Sequence, residues 1–281
     1  MRKTVLFATV LAAVVGVTAV AFAANTYTVT VASLTPTKAG TTGTPAPVQL
    51  NFGFTVQGEN NQRPTVSTDY TIGFGPGVIQ NRRFFRTCTS AQAGFASGQA
   101  ANCPANALVG QGRVSNEAGL AANPNQKIAC NLRLRLYNGD GRYAATGPND
   151  GRRVRADVWL VLNGGPNDPA ISNCPLDVPP VAVPAQFTRY LGGTALTFHV
   201  RRVPLQEPQA GVSNAIIQAI ATVNRKTTRV RTRVGTRFVF RTRGFFETTR
   251  CPAGGHPINV RFVDQQNRVT NAPTKRAPCR R

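Results

Sequence analysis

Histidine is scarce in this chain: His199 and His256 are its two histidines among 281 residues. Zinc sites and Ser-His-Asp sites depend on histidine, and the sequence contains neither an H-E-x-x-H segment nor a G-x-S-x-G turn. It also lacks the C-x-x-C pairs of structural zinc sites and the D-x-[DN]-x-[DN]-G order of calcium loops. We therefore expect no metal and no cofactor, and the sequence favours a non-catalytic protein over an enzyme.

Acidic residues are the second shortage, with 11 Asp and Glu against 33 Lys and Arg. Four of them follow the turn pattern in which Asp binds its own backbone, namely Asp140, Asp150, Asp168 and Asp177. Asp157 and Glu247 lie in strand patterns between basic residues, so we expect them to pair with arginine. The alternative is an extracellular hydrolase, carbohydrate-active or other, with a β-sandwich fold. It would need facing carboxylates, or His199 near a carboxylate in a pocket.

Long apolar runs are missing after the first 24 residues, so no later segment is apolar enough to cross a bilayer. Residues 1–24 are typical of a secretory signal peptide, because Arg2 and Lys3 precede an apolar run at 4–22. The Ala-Phe-Ala sequence at 21–23 fits the small-x-small cleavage pattern. A retained membrane anchor is the competing interpretation, and contact with a membrane is expected only in that case.

The six cysteines form no cluster that suits a metal, and an even number in a secreted chain predicts three disulfides. Fifteen pairings of six cysteines are possible, and pairing of near neighbours is the simplest. The expected disulfides are Cys88–Cys103, Cys130–Cys174 and Cys251–Cys279.

Alternation of apolar and polar residues with a period of two dominates the chain and predicts β-strands. The clearest examples lie at residues 48–56, 128–136 and 154–162, and shorter ones lie at 26–31, 196–200 and 258–263. Clusters of Gly, Pro, Asn and Asp separate them and predict turns. Helix signals are few: residues 89–100 could form a short helix, and residues 212–223 fit either helix or strand, with strand favoured.

Many short strands, proline breaks and disulfides predict an all-β fold, an antiparallel β-sandwich or jelly-roll-like structure with long loops and little helix. After the signal peptide at 1–24, we expect a β-sandwich body at 25–205. A basic C-terminal β region follows at 206–281, either as a separate unit or as part of the same domain. Residues 189–281 hold 18 basic and three acidic side chains.

The most basic stretch, residues 225–243, carries eight basic residues and no acid. Six of its arginines share one parity, namely Arg229, Arg231, Arg233, Arg237, Arg241 and Arg243. A single strand of this pattern would present a row of guanidinium groups on one face and pack Phe238 and Phe240 inward on the other. Arginines two residues apart repeat every ~6.5 Å along a strand, which suits an extended anionic polymer. The solvated face of an edge strand is the alternative.

Two local patterns carry a family resemblance. The first is Arg-Phe-Phe-Arg-Thr-Cys at 83–88, followed by Cys-Pro at 103–104 and Val-Gly-Gln-Gly at 109–112. The second is Cys-Pro at 251–252, a strand pattern at 259–263 and Pro-Cys at 278–279. Both resemble elements of uncharacterised secreted, disulfide-containing β-rich proteins of high-GC Gram-positive bacteria. The resemblance implies a secreted β protein with local disulfides, and it implies no activity.

Together these patterns predict a secreted, non-catalytic protein of the cell envelope or extracellular space, with the cell wall as one site of retention. Its basic face is expected to bind anionic cell-wall polymer, acidic polysaccharide or another polyanion. Sequence-specific nucleic-acid recognition is not expected, because no recognition motif of the usual kinds occurs. A purely structural surface module with incidental charge is a further alternative.

Overall fold

The computed structural model describes residues 25–164 and 180–281, and its secondary structure is almost entirely β. Within these ranges the strands are β1 (Thr26–Thr35), β2 (Ala46–Gln57), β3 (Ser67–Gly73), β4 (Val78–Gln80), β5 (Leu108–Leu120), β6 (Ile128–Asn138), β7 (Val158–Asn163), β8 (Val181–Tyr190), β9 (Gly193–His199), β10 (Val212–Val223), β11 (Thr227–Val234), β12 (Arg237–Gly244), β13 (Phe246–Thr248), β14 (His256–Asp264), β15 (Val269–Asn271) and β16 (Lys275–Ala277). Short helical turns lie at Glu59–Asn61, Arg82–Phe84, Ala105–Ala107, Gly147–Asn149 and Arg202–Gln206. The expected all-β class and the scarcity of helix are confirmed.

The named strands pair antiparallel, and hydrogen bonds join fourteen strands of the described chain into one sheet. Its order is β15-β14-β3-β9-β8-β7-β6-β5-β10-β2-β13-β4, with β1 beside β2 and β16 beside β14. The remaining pair, β11 and β12, forms a separate two-stranded ribbon. Strands from both sides of the expected boundary at 205/206 therefore share one sheet, because β10 pairs with β2 and β5 and β14 pairs with β3.

The sheet folds back on itself around one main core. Six strands separate β2 from β3 in the sheet order, yet the rings of Phe54 on β2 and Tyr70 on β3 lie 5.8 Å apart. Phe262 on β14 lies 5.2 Å from the Phe54 ring and 4.0 Å from the Tyr27 ring on β1. All four aromatic side chains are buried. Distant parts of the sheet therefore face each other as in a sandwich, and the buried aromatic rings between them contribute to its stability.

Period-two alternation places the strand side chains as the sequence predicts. On β2 the five apolar residues of one parity at 48–56 all lie in the main core. On β7 Leu160 faces the main core, whereas Trp159 faces a second, smaller cluster on the other side of the sheet. The segment between Cys88 and Leu108 covers this second cluster, and its Phe95 ring lies 5.2 Å from the Trp159 ring. Strand β7 is thus buried on both faces.

Two of the expected disulfides lie within the described residues and are confirmed, Cys88–Cys103 and Cys251–Cys279. They join cysteines 15 and 28 residues apart, so each closes a local loop. Cys130 is disulfide-bonded as well, and its expected partner, Cys174, lies outside the described residues.

The short helix considered for residues 89–100 does not form. This segment is a series of turns, in which Gly94 and Gly98 have φ values of +70° and +65°. These left-handed values interrupt a right-handed helix, and glycine adopts them without the clash that a Cβ would cause. Residues 212–223, for which strand was favoured, form β10.

The expected signal peptide at 1–24 lies outside the described residues. In the part of the chain that the structure describes, no helix combines the length and apolar character needed to span a bilayer.

Candidate functional site

The arginine-rich stretch folds into a two-stranded ribbon instead of one strand. Strands β11 and β12 pair antiparallel, with Val234 opposite Arg237. The two-residue loop between them begins with Gly235, whose φ of +61° suits the tight turn of a hairpin. Because this loop has two residues, every cross-strand pair joins an odd position to an even one. Side chains of directly opposite residues lie on the same face of the ribbon. The odd-numbered arginines of β11 and the odd-numbered arginines of β12 therefore lie on different faces.

One face of the ribbon, here called the outer face, carries arginine and phenylalanine together; its residues are Arg229, Arg231, Arg233, Phe238, Phe240 and Thr242. All six are exposed to solvent, and the exposed fractions of Phe238 and Phe240 are 57% and 65%. The guanidinium carbon of Arg231 lies 4.0 Å from the centroid of the Phe238 ring. The corresponding distance from Arg229 to Phe240 is 5.3 Å. Both are cation–π contacts between diagonal neighbours.

The prediction that Phe238 and Phe240 pack inward is therefore wrong. It treated residues 229–243 as one strand, in which odd and even positions point to opposite faces. The turn at Gly235 reverses this relation on β12, so the phenylalanines lie beside the β11 arginines instead of behind them. The signal was present in the sequence, because Gly-Thr between two alternating runs is typical of a hairpin with a two-residue loop.

The opposite face, here called the inner face, is turned toward the body of the protein and includes Arg237, Arg241 and Arg243. Arg237 is exposed near the turn, whereas Arg241 and Arg243 are half-buried. Nη1 of Arg241 donates a 3.1 Å hydrogen bond to the carbonyl of Gly43, in the loop before β2. The structure thus places three of the six predicted arginines on each face.

The base of the ribbon is held by Glu247 on β13, which is fully buried. Its Oε1 accepts a 2.8 Å hydrogen bond from the backbone amide of Gly244, the last residue of β12. Its Oε2 accepts a 2.7 Å hydrogen bond from Nδ2 of Asn81 and lies 3.4 Å from Nη1 of Arg243. Burial of a carboxyl group is unfavourable unless hydrogen bonds replace those that it makes with water. The predicted pairing of Glu247 with arginine is confirmed.

Asp157 is the second fully buried acid between basic residues. Its Oδ1 lies 2.9 Å from Nε of Arg82, and its Oδ2 accepts hydrogen bonds of 3.1 Å and 2.8 Å from Nε and Nη2 of Arg155. The hydrogen bond to Asp157 raises the pKa of Arg155 above its ordinary value. The predicted pairing of Asp157 with arginine is confirmed.

His199 is the side chain that the hydrolase alternative requires near a carboxylate. It is buried on β9, with Nδ1 3.1 Å from Oδ1 of Asp69 and Nε2 3.1 Å from Oδ2 of Asp150. Burial acts to raise the pKa of Asp69, but hydrogen bonds from His199 and Thr68 outweigh it and hold that pKa below its ordinary value. A carboxylate thus lies within hydrogen-bonding distance of each ring nitrogen of His199. The contact ties the loop that carries Asp150 to β3 and β9.

His256 is fully buried at the start of β14. Burial lowers its pKa below the ordinary value, although the backbone of Pro76 opposes the shift. Within the ranges 25–164 and 180–281, no group of three or more His, Cys, Asp or Glu side chains is arranged to hold a metal ion. Both histidines are thus buried in the packed body of the protein, and neither belongs to a described group of possible metal ligands.

No protein-family model matches this chain, and neither a curated protein nor a solved structure matches it significantly. The geometry itself defines the class: an all-β protein with local disulfides that carries a ribbon of exposed arginine and phenylalanine.

Proposed function

We propose that this protein is secreted and acts in the cell envelope or extracellular space as a non-catalytic binder of anionic polymers. The observation that carries the proposal is the outer face of the ribbon, where Arg229, Arg231 and Arg233 lie exposed in one row. No ion pair joins these three arginines to an acidic side chain of the described chain. Their charge is therefore available to a ligand.

The chemistry of the outer face suits a long ligand with repeated anionic groups. Arginines two residues apart on a strand lie ~6.5 Å from each other. Each guanidinium offers a planar fork of N–H donors that can bind two oxygens of a phosphate, sulfate or carboxylate group. Successive groups of an extended polymer can therefore occupy successive arginines. Anionic cell-wall polymer and acidic polysaccharide are the ligand classes of this kind outside the cell.

Phe238 and Phe240 support this assignment. A guanidinium stacked on an aromatic ring has fewer rotamers to lose when an anion binds, so the entropic cost of binding falls. If this face served only to block pairing with another sheet, charged side chains without phenylalanine would be sufficient. The pairing of exposed arginine with exposed phenylalanine therefore favours a binding surface.

Export is supported by the disulfides Cys88–Cys103 and Cys251–Cys279, because disulfides persist in oxidising compartments and are rare in the cytosol. The signal-like sequence of residues 1–24 supports it as well. The resemblance to secreted β-rich proteins of high-GC Gram-positive bacteria points to the same location. Recovery of the native protein from the cytosol with all of its cysteines as free thiols would contradict this part of the proposal.

The binding test uses the chain from residue 25 on immobilised heparin and on purified wall teichoic acid, with elution by a NaCl gradient. The variant R229Q/R231Q/R233Q removes the outer-face arginines. A matched control, R113Q/R135Q/R189Q, removes the same number of exposed arginines from β5, β6 and β8. We expect the first variant to elute at much lower salt and the control to elute close to the wild type. Guanidinium groups in one row bind a polyanion more strongly than the same number of charges spread over the surface.

Two outcomes would contradict the proposal. Equal loss of retention in both triple variants would assign binding to net charge rather than to the outer face. Equal affinity of the wild type for unrelated polyanions, lost entirely at modest salt, would favour a structural module with incidental charge.

A further inference from the structure

A cleft separates the inner face of the ribbon from the loop before β2. It has a volume of about 720 Å³. One side is lined by Gly43, Thr44 and Pro45 of the loop and by Pro47 at the start of β2, and the other by Arg225, Thr227, Arg241, Thr242 and Arg243. No Asp or Glu is among the lining residues. A concave surface with three arginines and no acid attracts anions, because charges of one sign in a cleft raise the local concentration of counter-ions.

Two of the three arginines of the cleft, Arg241 and Arg243, are held in place and retain free donors. Arg241 uses one N–H for the carbonyl of Gly43, and Arg243 uses one for the buried Glu247. A guanidinium has five N–H donors, so both side chains keep donors for a ligand. Arg225 and Arg241 have no acidic partner in the described chain. Fixing the side chains in advance reduces the entropy lost on binding.

We propose that this cleft binds a phosphoryl group. A phosphoryl group presents three terminal oxygens in different directions, and the three guanidinium groups that line one side of the cleft can each bind a different pair of them. A carboxylate presents two oxygens in one plane and can satisfy fewer of the forks. The ligand is therefore a phosphate ester, either a free small molecule or the end of a phosphate-bearing polymer. The site is distinct from the outer-face arginines, because none of Arg229, Arg231 and Arg233 lines the cleft.

The test is isothermal titration of the chain from residue 25 with inorganic phosphate, and with acetate as the carboxylate probe. We expect saturable phosphate binding at millimolar concentrations and acetate binding that is about tenfold weaker or more. R225Q should weaken phosphate binding about tenfold, since hydrogen bonds between charged groups are the stronger ones. The matched variant R135Q removes an exposed arginine of β6 that does not line the cleft, and it should leave phosphate affinity within about twofold of the wild type.

R225Q is the first choice because no hydrogen bond or ion pair of the described chain depends on the Arg225 side chain. An unchanged melting temperature will show that its fold is intact. R241Q, which also loses the contact with Gly43, serves as a second variant. Titration with glycerol 3-phosphate and with polyphosphate then separates the two sources of the ligand, because a small-molecule site binds the monoester and a polymer-end site favours the chain.

Absence of saturable phosphate binding to the wild type would overturn the inference. Equal weakening by R225Q and R135Q would also overturn it, because a local site cannot respond equally to an arginine that does not line it. Loss of polymer retention in R229Q/R231Q/R233Q together with intact phosphate binding would support the cleft as a separate site. Failure of the proposed polymer binding is therefore distinguishable from failure of the cleft.

Discussion

Arg231 and Phe238 lie diagonally across the ribbon, with the guanidinium carbon 4.0 Å from the ring centroid. More than half of the phenylalanine side chain is exposed, although apolar area in water is unfavourable. A cation over the ring face recovers about 0.5–1 kcal/mol at an exposed site. The contact also restricts the guanidinium, so the phenylalanine acts on a ligand through the arginine that it positions.

Replacing Phe238 by leucine therefore tests the aromatic contribution without changing the charge. We expect Phe238→Leu to bind heparin about two- to fivefold more weakly than the wild type, which corresponds to the loss of one exposed cation–π contact. The measurement is a fluorescence or calorimetric titration at fixed salt. The control is Val239→Leu at the neighbouring position, because Val239 lies on the inner face and has no aromatic ring. Wild-type affinity in Phe238→Leu would mean that the ring has no part in binding.

Glu247 connects the ribbon of β11 and β12 to the rest of the protein. Replacing it by alanine leaves the amide of Gly244 without its side-chain acceptor and removes one of the two acceptors of Asn81 Nδ2. It also leaves Arg243 without its counter-charge. We expect Glu247→Ala to lower the free energy of unfolding by about 3 kcal/mol, measured by denaturant titration.

The control for this change is Glu59→Ala, because Glu59 is exposed and its side chain makes no described contact. That substitution should change the free energy of unfolding by less than about 0.5 kcal/mol. Equal effects of the two substitutions would show that the carboxylate at the base of the ribbon is not needed for stability.

The disulfide Cys88–Cys103 covers Trp159, whose Nε1 donates a 3.0 Å hydrogen bond to the carbonyl of Cys88. Trp159 is the single tryptophan of the chain and is fully buried, so its fluorescence reports on this cluster alone. We expect the variant C88S/C103S to lose about 3 kcal/mol of stability, as the chain-entropy model gives for a 15-residue loop, and to show a red-shifted native emission.

The matched variant C251S/C279S removes the other local disulfide, which lies outside the cluster around Trp159. It should lower stability while leaving the native emission maximum unchanged. A similar red shift in both variants would mean that the two disulfides stabilise the fold globally instead of covering separate regions.

The sequence was informative wherever a feature depends on neighbours along the chain. Alternation on β2 and the two-sided burial of β7 follow from side-chain period, and each is visible in fewer than ten consecutive residues. The confirmed disulfides close short loops, which is why pairing of near neighbours was a sound expectation.

Features that depend on residues far apart in the sequence could not be predicted in this way. Phe54 meets Phe262 only because the sheet folds back, and no local pattern encodes that approach. Glu247 was predicted to bind arginine, but its bond to Asn81 joins residues 166 positions apart. The prediction for the outer face was wrong for a different reason. The two-residue turn at Gly235 places the even-numbered residues of β12 on the same face as the odd-numbered residues of β11.

Asp69 should make the stability of this protein depend on acid pH. It is hydrogen-bonded by His199 and Thr68 and lies 3.0 Å from Nη1 of Arg152, and these contacts hold its pKa below the ordinary value despite burial. The folded state therefore binds fewer protons than the unfolded state below about pH 4, the ordinary pKa of aspartate. The stabilisation is fully present above that pH and is lost as the pH falls through the lower, folded-state pKa.

We therefore expect Asp69→Asn to be less stable than the wild type at pH 6, with a difference that shrinks steadily as the pH falls below about 4. Urea titrations at a series of pH values measure this difference directly. Glu59→Gln serves as the control, because an exposed carboxylate without described partners should give the same small difference at every pH. A difference between wild type and Asp69→Asn that stays constant down to pH 2 would mean that the Asp69 charge does not stabilise the fold, and that His199 holds its loop without it.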